Sequence, residues 1–285
     1  MRVLVTGASG LIGSRLVARL AGRGDEVIAL VRDAASAPRE AGEVVVHDLA
    51  RPLEPETVPQ VDAIAHLAHH PHVAVPEHAT SLYRLNTMST QELLDAGRRA
   101  GVRRFLYASS GAVFGFSSAP LRETDPRRGR DLYALTKLHA EQLVEAYADY
   151  LEPVIVRPFF PYGVGQTGRL ISNLVERVRA GEPVVLREGG RPRCNPIYVD
   201  DAVRAFVAAL DGPAPNAVNA AGDEIVTIAE LAAAIGRAVG VEPEFVEEPG
   251  EVGHDWVADN ARMRELLGPG ELVALDDGLR RTVAG

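Results

Sequence analysis

The chain has almost no cysteine, because Cys194 is the only one among its 285 residues. A single thiol excludes an internal disulfide and a cysteine-based metal cluster. Aromatic side chains are also scarce, at 5% of the residues. No uninterrupted apolar run approaches a membrane span, and the first residues are typical of a strand rather than a signal peptide. We therefore expect a cytoplasmic protein.

Positive charge is in deficit as well. The 30 lysines and arginines face 39 aspartates and glutamates, so the formal net charge is -9. Nucleic acids and anionic membranes need a basic surface, and this balance argues against both as partners. The composition is that of a globular protein, and the length allows one large α/β unit with a smaller lobe. The expected partner is a small-molecule substrate, with homodimerisation left open.

The first thirteen residues organise the chain. Residues 3–5 are an apolar run typical of a buried strand, and apolar residues recur at helical spacing from residue 11. Between them glycines stand three residues apart, where a tight turn and a helix N-terminus can hold a pyrophosphate. This context predicts dinucleotide binding. The predicted contacts are Gly7, Ser9, Gly10, Leu11, Ile12 and Gly13.

The next strands bear on which dinucleotide binds. The strand Glu26–Val31 is followed by Arg32, whose guanidinium suits the 2′-phosphate of NADP. We therefore favour NADP over NAD, although Arg32 could be a solvated charge and Asp33 could reach a ribose hydroxyl. A third strand, 44–46, leads to Asp48, which could accept from the adenine amino group or cap a loop.

A group of histidines follows the fourth strand, 62–66. Its members are His66, His69, His70, His72 and His78. Three imidazoles within four residues cannot all face one ion without an irregular loop, and no acidic partners are interleaved. We therefore predict no metal site, and expect a loop that faces cofactor or substrate.

Residues 77–100 carry a long helical pattern with Asn86 in its middle. Asparagine has poor helix propensity, and its side chain can disturb the backbone hydrogen bonds. Asn86 therefore marks either a helix kink that holds a water or an exposed polar position.

A tyrosine and a lysine four residues apart follow the fifth strand, 102–108. Tyr133 and Lys137 lie on one helical face if Asp131 caps a helix there. A nearby ammonium lowers the pKa of a phenol, which can then exchange a proton with an alcohol. Ser110, at the end of the strand, could hydrogen-bond the same oxygen. Such a pair alone is commonplace on surface helices, but here it follows the glycine turn and a serine.

The second half of the chain is less regular. A sixth strand, 154–156, leads to Pro158 and an aromatic loop, 159–163. Helical patterns cover about 168–180, 199–210, 227–239 and 276–283, and short strands lie near 184–186, 217–219 and 243–246. The predicted fold is α/β, a doubly wound parallel sheet of Rossmann type, with residues 1–160 as the dinucleotide-binding core. Residues 161–285 form mostly a substrate-binding lobe, with some segments returning to the core.

These motifs resemble the extended short-chain dehydrogenase/reductase family, the group of nucleotide-sugar epimerases, dehydratases and ketoreductases. The matching stretches are residues 6–13, 66–68, 109–115, 133–137, 157–163 and 197–201, together with Asn86. Residues 219–222 and 264–268 also follow the family, so the resemblance covers essentially the whole chain. The resemblance implies that Ser110, Tyr133 and Lys137 are catalytic and that Asn86 supports a water link to Lys137. It also implies cofactor contacts from the glycine turn and from Asp48, Leu49, Leu67, Ala68 and Pro158.

The chain departs from this family at three places. Family dehydratases carry Asp-Glu where this chain has Gly111 and Ala112, so sugar dehydration is disfavoured. Nucleotide-sugar enzymes usually carry asparagine where Phe160 stands, and a pyrophosphate-binding arginine where Cys194 stands. Losing such an arginine costs about 1.5–3 kcal/mol unless a neighbour such as Arg193 replaces it.

The predicted function is an NAD(P)-dependent oxidoreductase or epimerase that transfers hydride to or from a secondary alcohol or ketone. The favoured substrate is a nucleotide sugar, with a 4-epimerase or 4-ketoreductase reaction. The alternative is an NADPH-dependent ketoreductase of an aromatic or polyketide-like natural product, and a non-catalytic NADP-binding sensor is the third. Predicted substrate contacts are His69, Phe114, Phe160 and Arg193.

Overall fold

A seven-stranded parallel sheet forms the centre of the fold, in the order β10-β6-β5-β4-β1-β2-β3. The computed structural model describes residues 1–71, 77–187, 190–212, 216–250 and 255–285. The strands of this sheet are β1 (Arg2–Thr6), β2 (Glu26–Val31), β3 (Glu43–Val46), β4 (Ala63–His66), β5 (Arg104–Ala108), β6 (Glu152–Pro158) and β10 (Ala217–Ala220). The predicted doubly wound α/β fold is confirmed.

The central strands are buried because both faces of the sheet are covered. Val5 on β1 pairs with Ala29 on β2 and with Ala65 on β4, and all three are fully buried. Such near-continuous apolar runs are typical of parallel strands under helices. The chain order reverses at β1, whose neighbours are β2 and β4, and ligands of open α/β sheets bind at such a switch point.

Helices alternate with the strands along the chain. They are α1 (Leu11–Gly22), α2 (Ala79–Tyr83), α3 (Ser89–Arg99), α4 (Leu132–Ala146), α5 (Leu170–Arg179), α6 (Val199–Asp211), α7 (Ile228–Val239), α8 (Ala261–Leu267) and α9 (Leu275–Ala284). The sequence pattern predicted these helices except α8, and it merged α2 and α3 into one helix. A π-helical turn, Arg84–Met88, separates those two. Within the described part of the chain, every helix is too short or too polar to cross a bilayer.

The chain divides into two compact units. Unit 1 comprises residues 1–115, 126–157 and 203–218, and unit 2 comprises residues 116–125, 158–202 and 219–285. Unit 2 contains two small sheets, in which β7 (Pro161–Tyr162) pairs with β9 (Ile197–Tyr198) and β8 (Val184–Leu186) pairs with β11 (Phe245–Glu247). The roles predicted for residues 1–160 and 161–285 remain predictions.

Candidate active site

The glycine turn joins β1 to α1 at the carboxyl edge of the sheet. Gly7 has a φ of +66°, in the left-handed region that favours glycine. A Cβ added to Gly7 would lie 2.6 Å from the backbone nitrogen of Ala68, and one added to Gly13 would lie 2.1 Å from the carbonyl oxygen of Gly7. The turn therefore brings three backbone segments closer together than any other residue allows.

The first turn of α1 fits a bound anion. Its N-cap is Gly10, no side chain caps it, and no acidic residue stands in the first turn. The first amide groups of a helix have no carbonyl partner inside the helix, and its N-terminus carries partial positive charge. Ser9 and Gly10 are exposed, and Leu11 and Ile12 are half-buried. The pyrophosphate of a dinucleotide therefore fits this turn.

Leu67 and Ala68 continue β4 beside the turn. The Leu67 amide donates to the Thr6 carbonyl over 3.2 Å, and the Ala68 amide donates to Thr6 Oγ1 over 3.2 Å. These bonds place both residues against Gly7, and the structure therefore brings together the two loops for which the resemblance implied cofactor contacts.

Arg32 is exposed directly after β2. Asp33 behind it caps a short helical turn, Ala34–Ser36, by accepting from the Ala35 amide over 3.0 Å. Asp48 accepts from the amide two residues further on over 3.0 Å, which is the loop-capping role predicted as one of its two alternatives. Leu49 is buried.

Helix α4 carries the predicted acid–base pair. Asp131 caps this helix as predicted, by accepting from the Ala134 amide over 2.7 Å. Tyr133 is half-buried in the first turn, and Lys137 follows one turn later with 2% of its surface exposed. Their four-residue spacing places both side chains on one face of the helix.

The ammonium of Lys137 is held in the core of unit 1. Its Nζ donates to the carbonyl of Ala108 over 2.7 Å and lies 4.8 Å from the ring centroid of Tyr107. Burial lowers the pKa of Lys137 to about 7, and the negative charge of Glu141 opposes that shift. Near neutral pH this side chain can therefore gain or lose a proton at little free-energy cost.

Asn86 lies in the π-helical turn and is fully buried. Its Oδ1 accepts from the His70 amide over 2.9 Å, and its Nδ2 donates to Thr136 Oγ1 over 3.0 Å. A disturbed helix was one of the two predicted alternatives, and the exposed polar position was wrong. Thr136 directly precedes Lys137, so Asn86 ties the turn to α4 beside the lysine, and the water link stays a prediction.

His66 is a buried residue whose role the sequence analysis did not identify. Its Nδ1 is 2.7 Å from Thr6 Oγ1, and its Nε2 is 3.0 Å from Thr90 Oγ1. The Thr90 hydroxyl donates to the carbonyl of Asn86 over 2.9 Å, so it accepts from His66. Nε2 therefore carries the proton, and Nδ1 accepts from the Thr6 hydroxyl, whose oxygen accepts from the Ala68 amide.

These bonds form a continuous relay in unit 1 from the loop beside the glycine turn to Asn86. The relay needs neutral His66, and burial, with the charges of Lys137 and His69, lowers its pKa to about 3. A signal was available in the sequence, because Thr6 and His66 are polar residues that close two apolar strands. They pair directly in the register of β1 and β4.

Ser110 lies between β5 and a short helical turn, Gly111–Phe114. It is half-buried, and its Oγ accepts from the Ala112 amide over 3.2 Å. The ring of Phe114 is 2% exposed and packs under the guanidinium of Arg157, at 4.8 Å. This burial does not favour the substrate contact predicted for Phe114, which stays a prediction.

A buried ion pair holds α4 to the end of β6. Arg157 Nε and Nη2 donate to the two oxygens of Glu141 over 2.8 and 2.9 Å, and Arg127 donates to Glu141 over 2.8 Å. Burial opposes ionisation of Glu141, but the two guanidinium groups outweigh it and lower its pKa. Glu141 thus keeps a negative charge one helical turn after Lys137.

Unit 2 contains a cavity of about 440 Å³. The described residues that line it are Phe160, Leu170, Leu174, Arg177, Val184, Val185, Pro192, Cys194, Ile228 and Trp256. Phe160 has a φ of +45°, and its ring centroid lies 5.9 Å from that of Trp256. The cavity wall is therefore mostly apolar, and the predicted substrate residue Phe160 is part of it.

Arg193 is engaged by a neighbouring carboxylate. Its Nε and Nη2 donate to Asp255 Oδ2 over 2.9 and 2.6 Å, and its amide donates to Oδ1 over 2.9 Å. Asp255 is 4% exposed. Burial raises the pKa of Cys194 to about 12, so its thiol stays uncharged in the cavity wall. The residue predicted to replace the pyrophosphate-binding arginine is thus already paired.

Three further residues were singled out in the sequence, namely Pro158, His69 and His72. Pro158 is the last residue of β6, and His69 is exposed with its Nδ1 3.3 Å from the Leu67 carbonyl. His72 lies outside the described residues. Among those described, no three His, Cys, Asp or Glu side chains are grouped to hold a metal ion.

Comparison with known proteins agrees with this geometry. The model of the NAD-dependent epimerase/dehydratase family matches residues 3–221. The chain belongs to this family. As a member of the NAD-dependent epimerase/dehydratase family it is an enzyme of the extended short-chain dehydrogenase/reductase group, as the resemblance implied.

Relatives of this chain differ in activity. A 3-diazoavenalumate denitrifying reductase of Streptomyces sp is 35% identical over 85% of this chain and 83% of its own length. A UDP-glucose 4-epimerase of Mycolicibacterium smegmatis is 34% identical over 99% and 97%. The structure of MoeE5 with UDP-glucuronic acid and NAD superposes with a TM-score of 0.88, at 29% identity over 100% of this chain and 98% of that one.

Proposed function

We propose that the chain interconverts a secondary alcohol and a ketone with NAD(P) as the hydride carrier. Tyr133 and Lys137 carry the proposal, because they stand one helical turn apart with the ammonium anchored on the Ala108 carbonyl. A phenol beside a buried cation can exchange a proton with an alcohol oxygen at neutral pH. This arrangement supports acid–base catalysis by Tyr133.

The glycine turn and its neighbours would hold the cofactor. A bound nicotinamide supplies or accepts the hydride. The residues that fit its binding are Gly7, Ser9, Gly10, Leu11, Ile12, Gly13, Arg32, Leu49, Leu67, Ala68, Tyr133 and Lys137. Asp48 and Pro158 stay predicted contacts.

The chain's own residues move and hold the proton. Tyr133 gives its hydroxyl proton to the ketone oxygen, or takes it from the alcohol, and the Lys137 ammonium stabilises the resulting phenolate. Ser110 would donate a hydrogen bond to the same substrate oxygen. Asn86 acts through Thr136, by fixing α4 beside Lys137.

Arg32 supports NADP over NAD. Its guanidinium is exposed directly after β2, whereas the Asp33 carboxylate already caps the next turn. A guanidinium suits a phosphate, while an acid in that position suits a ribose hydroxyl. The structures of MoeE5 and of the Thermus thermophilus UDP-glucose 4-epimerase are complexes with NAD. Both cofactors are therefore tested.

Two substrate classes fit this chemistry. The epimerase relatives support a nucleotide sugar, converted by a 4-epimerase or 4-ketoreductase reaction. Gly111 and Ala112 argue against dehydration, although a dTDP-glucose 4,6-dehydratase of Streptomyces griseus is among the relatives. The apolar cavity and the paired Arg193 favour the second class, an aromatic or polyketide-like ketone. Ser110, Tyr133 and Lys137 together argue against a non-catalytic NADP sensor.

The test is Tyr133→Phe, which removes only the proton-transferring oxygen. Wild-type protein is assayed for epimerisation with UDP-glucose and NAD⁺ or NADP⁺, and for reduction with 2-acetonaphthone and NADH or NADPH. We expect the substitution to lower turnover by about 100-fold or more, while the other cofactor contacts keep cofactor affinity close to that of the wild type. Tyr150→Phe makes the same change at a side chain that is 65% exposed, and should behave as wild type.

Three results would count against the proposal. Wild-type turnover in Tyr133→Phe would remove its acid–base role. An equal affinity of wild type for NADPH and NADH would remove the NADP preference. Absence of both reactions in the wild type would contradict both substrate classes.

A further inference from the structure

We propose that the cavity of unit 2 binds a flat, uncharged aromatic group of the substrate in place of a nucleoside diphosphate. The inference rests on the proposed function only for the idea that the bound molecule is then reduced or oxidised. The binding itself follows from the cavity wall and can be tested without turnover.

Two aromatic rings, those of Phe160 and Trp256, are part of the cavity wall. Phe160 is tilted against Trp256 at 5.9 Å and 48°, and Phe116 is stacked on Trp256 at 4.8 Å and 28°. Ring faces attract other flat rings through offset stacking and the burial of apolar surface. Aliphatic side chains, those of Leu170, Leu174, Val184 and Ile228, also line the cavity.

The cavity wall has too little positive charge to bind a diphosphate. Among the described lining residues only Arg177 is charged, and its guanidinium already donates to the Pro183 carbonyl over 2.9 Å. Cys194 contributes an uncharged thiol, and Arg193 makes three hydrogen bonds to the buried Asp255. A diphosphate removed from water needs charge-assisted partners, whereas an aromatic group needs none.

The backbone at Phe160 supplies an independent argument. Its φ of +45° lies in the left-handed region, which disfavours a bulky side chain and which asparagine tolerates far better. The chain therefore keeps a phenylalanine against its backbone preference, and such strain persists where the side chain has a function. Here the ring forms part of the cavity wall.

The chain has a single tryptophan, Trp256, so binding in this cavity has a direct optical signal. Wild-type protein with NADP⁺ is titrated with 2-acetonaphthone, and separately with UDP, while tryptophan fluorescence is recorded. We expect saturable quenching by 2-acetonaphthone that millimolar UDP does not displace. Phe160→Asn should weaken this binding by about 10-fold, because a ring contact is lost while the backbone relaxes.

Phe245→Asn is the matched control, since it makes the same change at an exposed ring outside the cavity lining. It should bind 2-acetonaphthone as wild type does. Saturable binding of UDP, or displacement of 2-acetonaphthone by UDP, would overturn the proposal. Equal affinities of wild type and Phe160→Asn, or no quenching at all, would also overturn it.

The Tyr133→Phe variant separates this inference from the proposed function. Quenching should persist there although turnover is lost. If the wild type binds 2-acetonaphthone in this way but neither reduces it nor epimerises UDP-glucose, the proposed function fails and the aromatic subsite stands. If the wild type epimerises UDP-glucose and UDP competes, the subsite fails and the hydride chemistry stands.

Discussion

Two buried basic side chains in unit 1 respond differently to pH, because the pKa of Lys137 is near neutral and that of His66 is far below it. Lys137 can carry charge near neutral pH, because the Ala108 carbonyl receives its ammonium and Glu141 lies one turn away. His66 faces two hydroxyl oxygens and no acid, so it stays neutral. The first arrangement is suited to catalysis, and the second fixes the geometry of the residues around it.

Neutral His66 makes a prediction about acid stability. The unfolded chain takes up a proton at this residue near pH 6.5, whereas the folded chain takes it up only at about 3. Stability is therefore lost as the pH falls through that window. Between about pH 7 and pH 5 the wild type should lose about 2 kcal/mol more unfolding free energy than His66→Gln. Denaturant unfolding at both pH values measures this, and parallel losses would show that His66 is not held neutral.

Single residues also show where sequence reasoning stops. The four-residue spacing of Tyr133 and Lys137 and the cap at Asp131 are local features, so the sequence was sufficient to predict them. The partner of Arg193 is 62 residues away, and that of Asn86 is 50 residues away. Such contacts are set by the tertiary fold, and no periodicity in the sequence reports them.

At the scale of secondary-structure elements, the glycine turn between β1 and α1 has no space for a Cβ atom at Gly13. A Cβ at Gly13 would lie 2.1 Å from the carbonyl oxygen of Gly7, so the backbone must move, whereas a Cβ at Gly22 meets nothing within 4 Å. Gly13→Ala should therefore cost about 1–3 kcal/mol and weaken cofactor binding accordingly. Gly22→Ala, at the end of the same helix, should bind cofactor as wild type does.

Titration of both variants with NADPH, followed by nicotinamide fluorescence, measures the difference. Unchanged affinity in Gly13→Ala would mean that the turn does not hold the pyrophosphate. A melting curve for each variant separates loss of binding from loss of fold.

Element boundaries were predictable where apolar periodicity was strong. The strand Glu26–Val31 and the helix α7 agree with the sequence pattern closely, since the strand is a continuous apolar run buried on both faces and the helix buries one apolar face. The pattern at 77–100 ran through the π-helical turn without interruption. The π-helical turn holds Asn86, whose buried hydrogen bonds reach His70 and Thr136 and are set by the tertiary fold.

At the scale of the whole molecule, the two units interleave along the chain. Residues 203–218 return to unit 1 after a long stretch of unit 2. In that segment the carbonyls of Ala209 and Leu210 accept from the buried guanidinium of Arg104, and the Asn216 carbonyl accepts from the Ile155 amide over 3.0 Å. The sequence composition does not change at residues 203 or 218, so it gives no sign that this segment belongs to unit 1.

A fragment of residues 1–160 should therefore fail to fold on its own. Without 203–218, β6 loses its outer neighbour, and Arg104 loses acceptors that its charge needs once buried. We expect no cooperative thermal transition by circular dichroism, in contrast to the full chain. A cooperative transition near the melting temperature of the full chain would show that the segment is dispensable.

The cavity of unit 2 has a practical consequence for labelling. Cys194 and Trp256 are the one cysteine and the one tryptophan of the chain, and both line this cavity. Their backbones pair in an isolated β-bridge. The thiol is 1% exposed and its pKa is raised to about 12, so a thiol reagent reaches it only when unit 2 opens. Unit 2 thus carries a natural fluorophore and a natural attachment point, while unit 1 stays unlabelled and dark under selective tryptophan excitation.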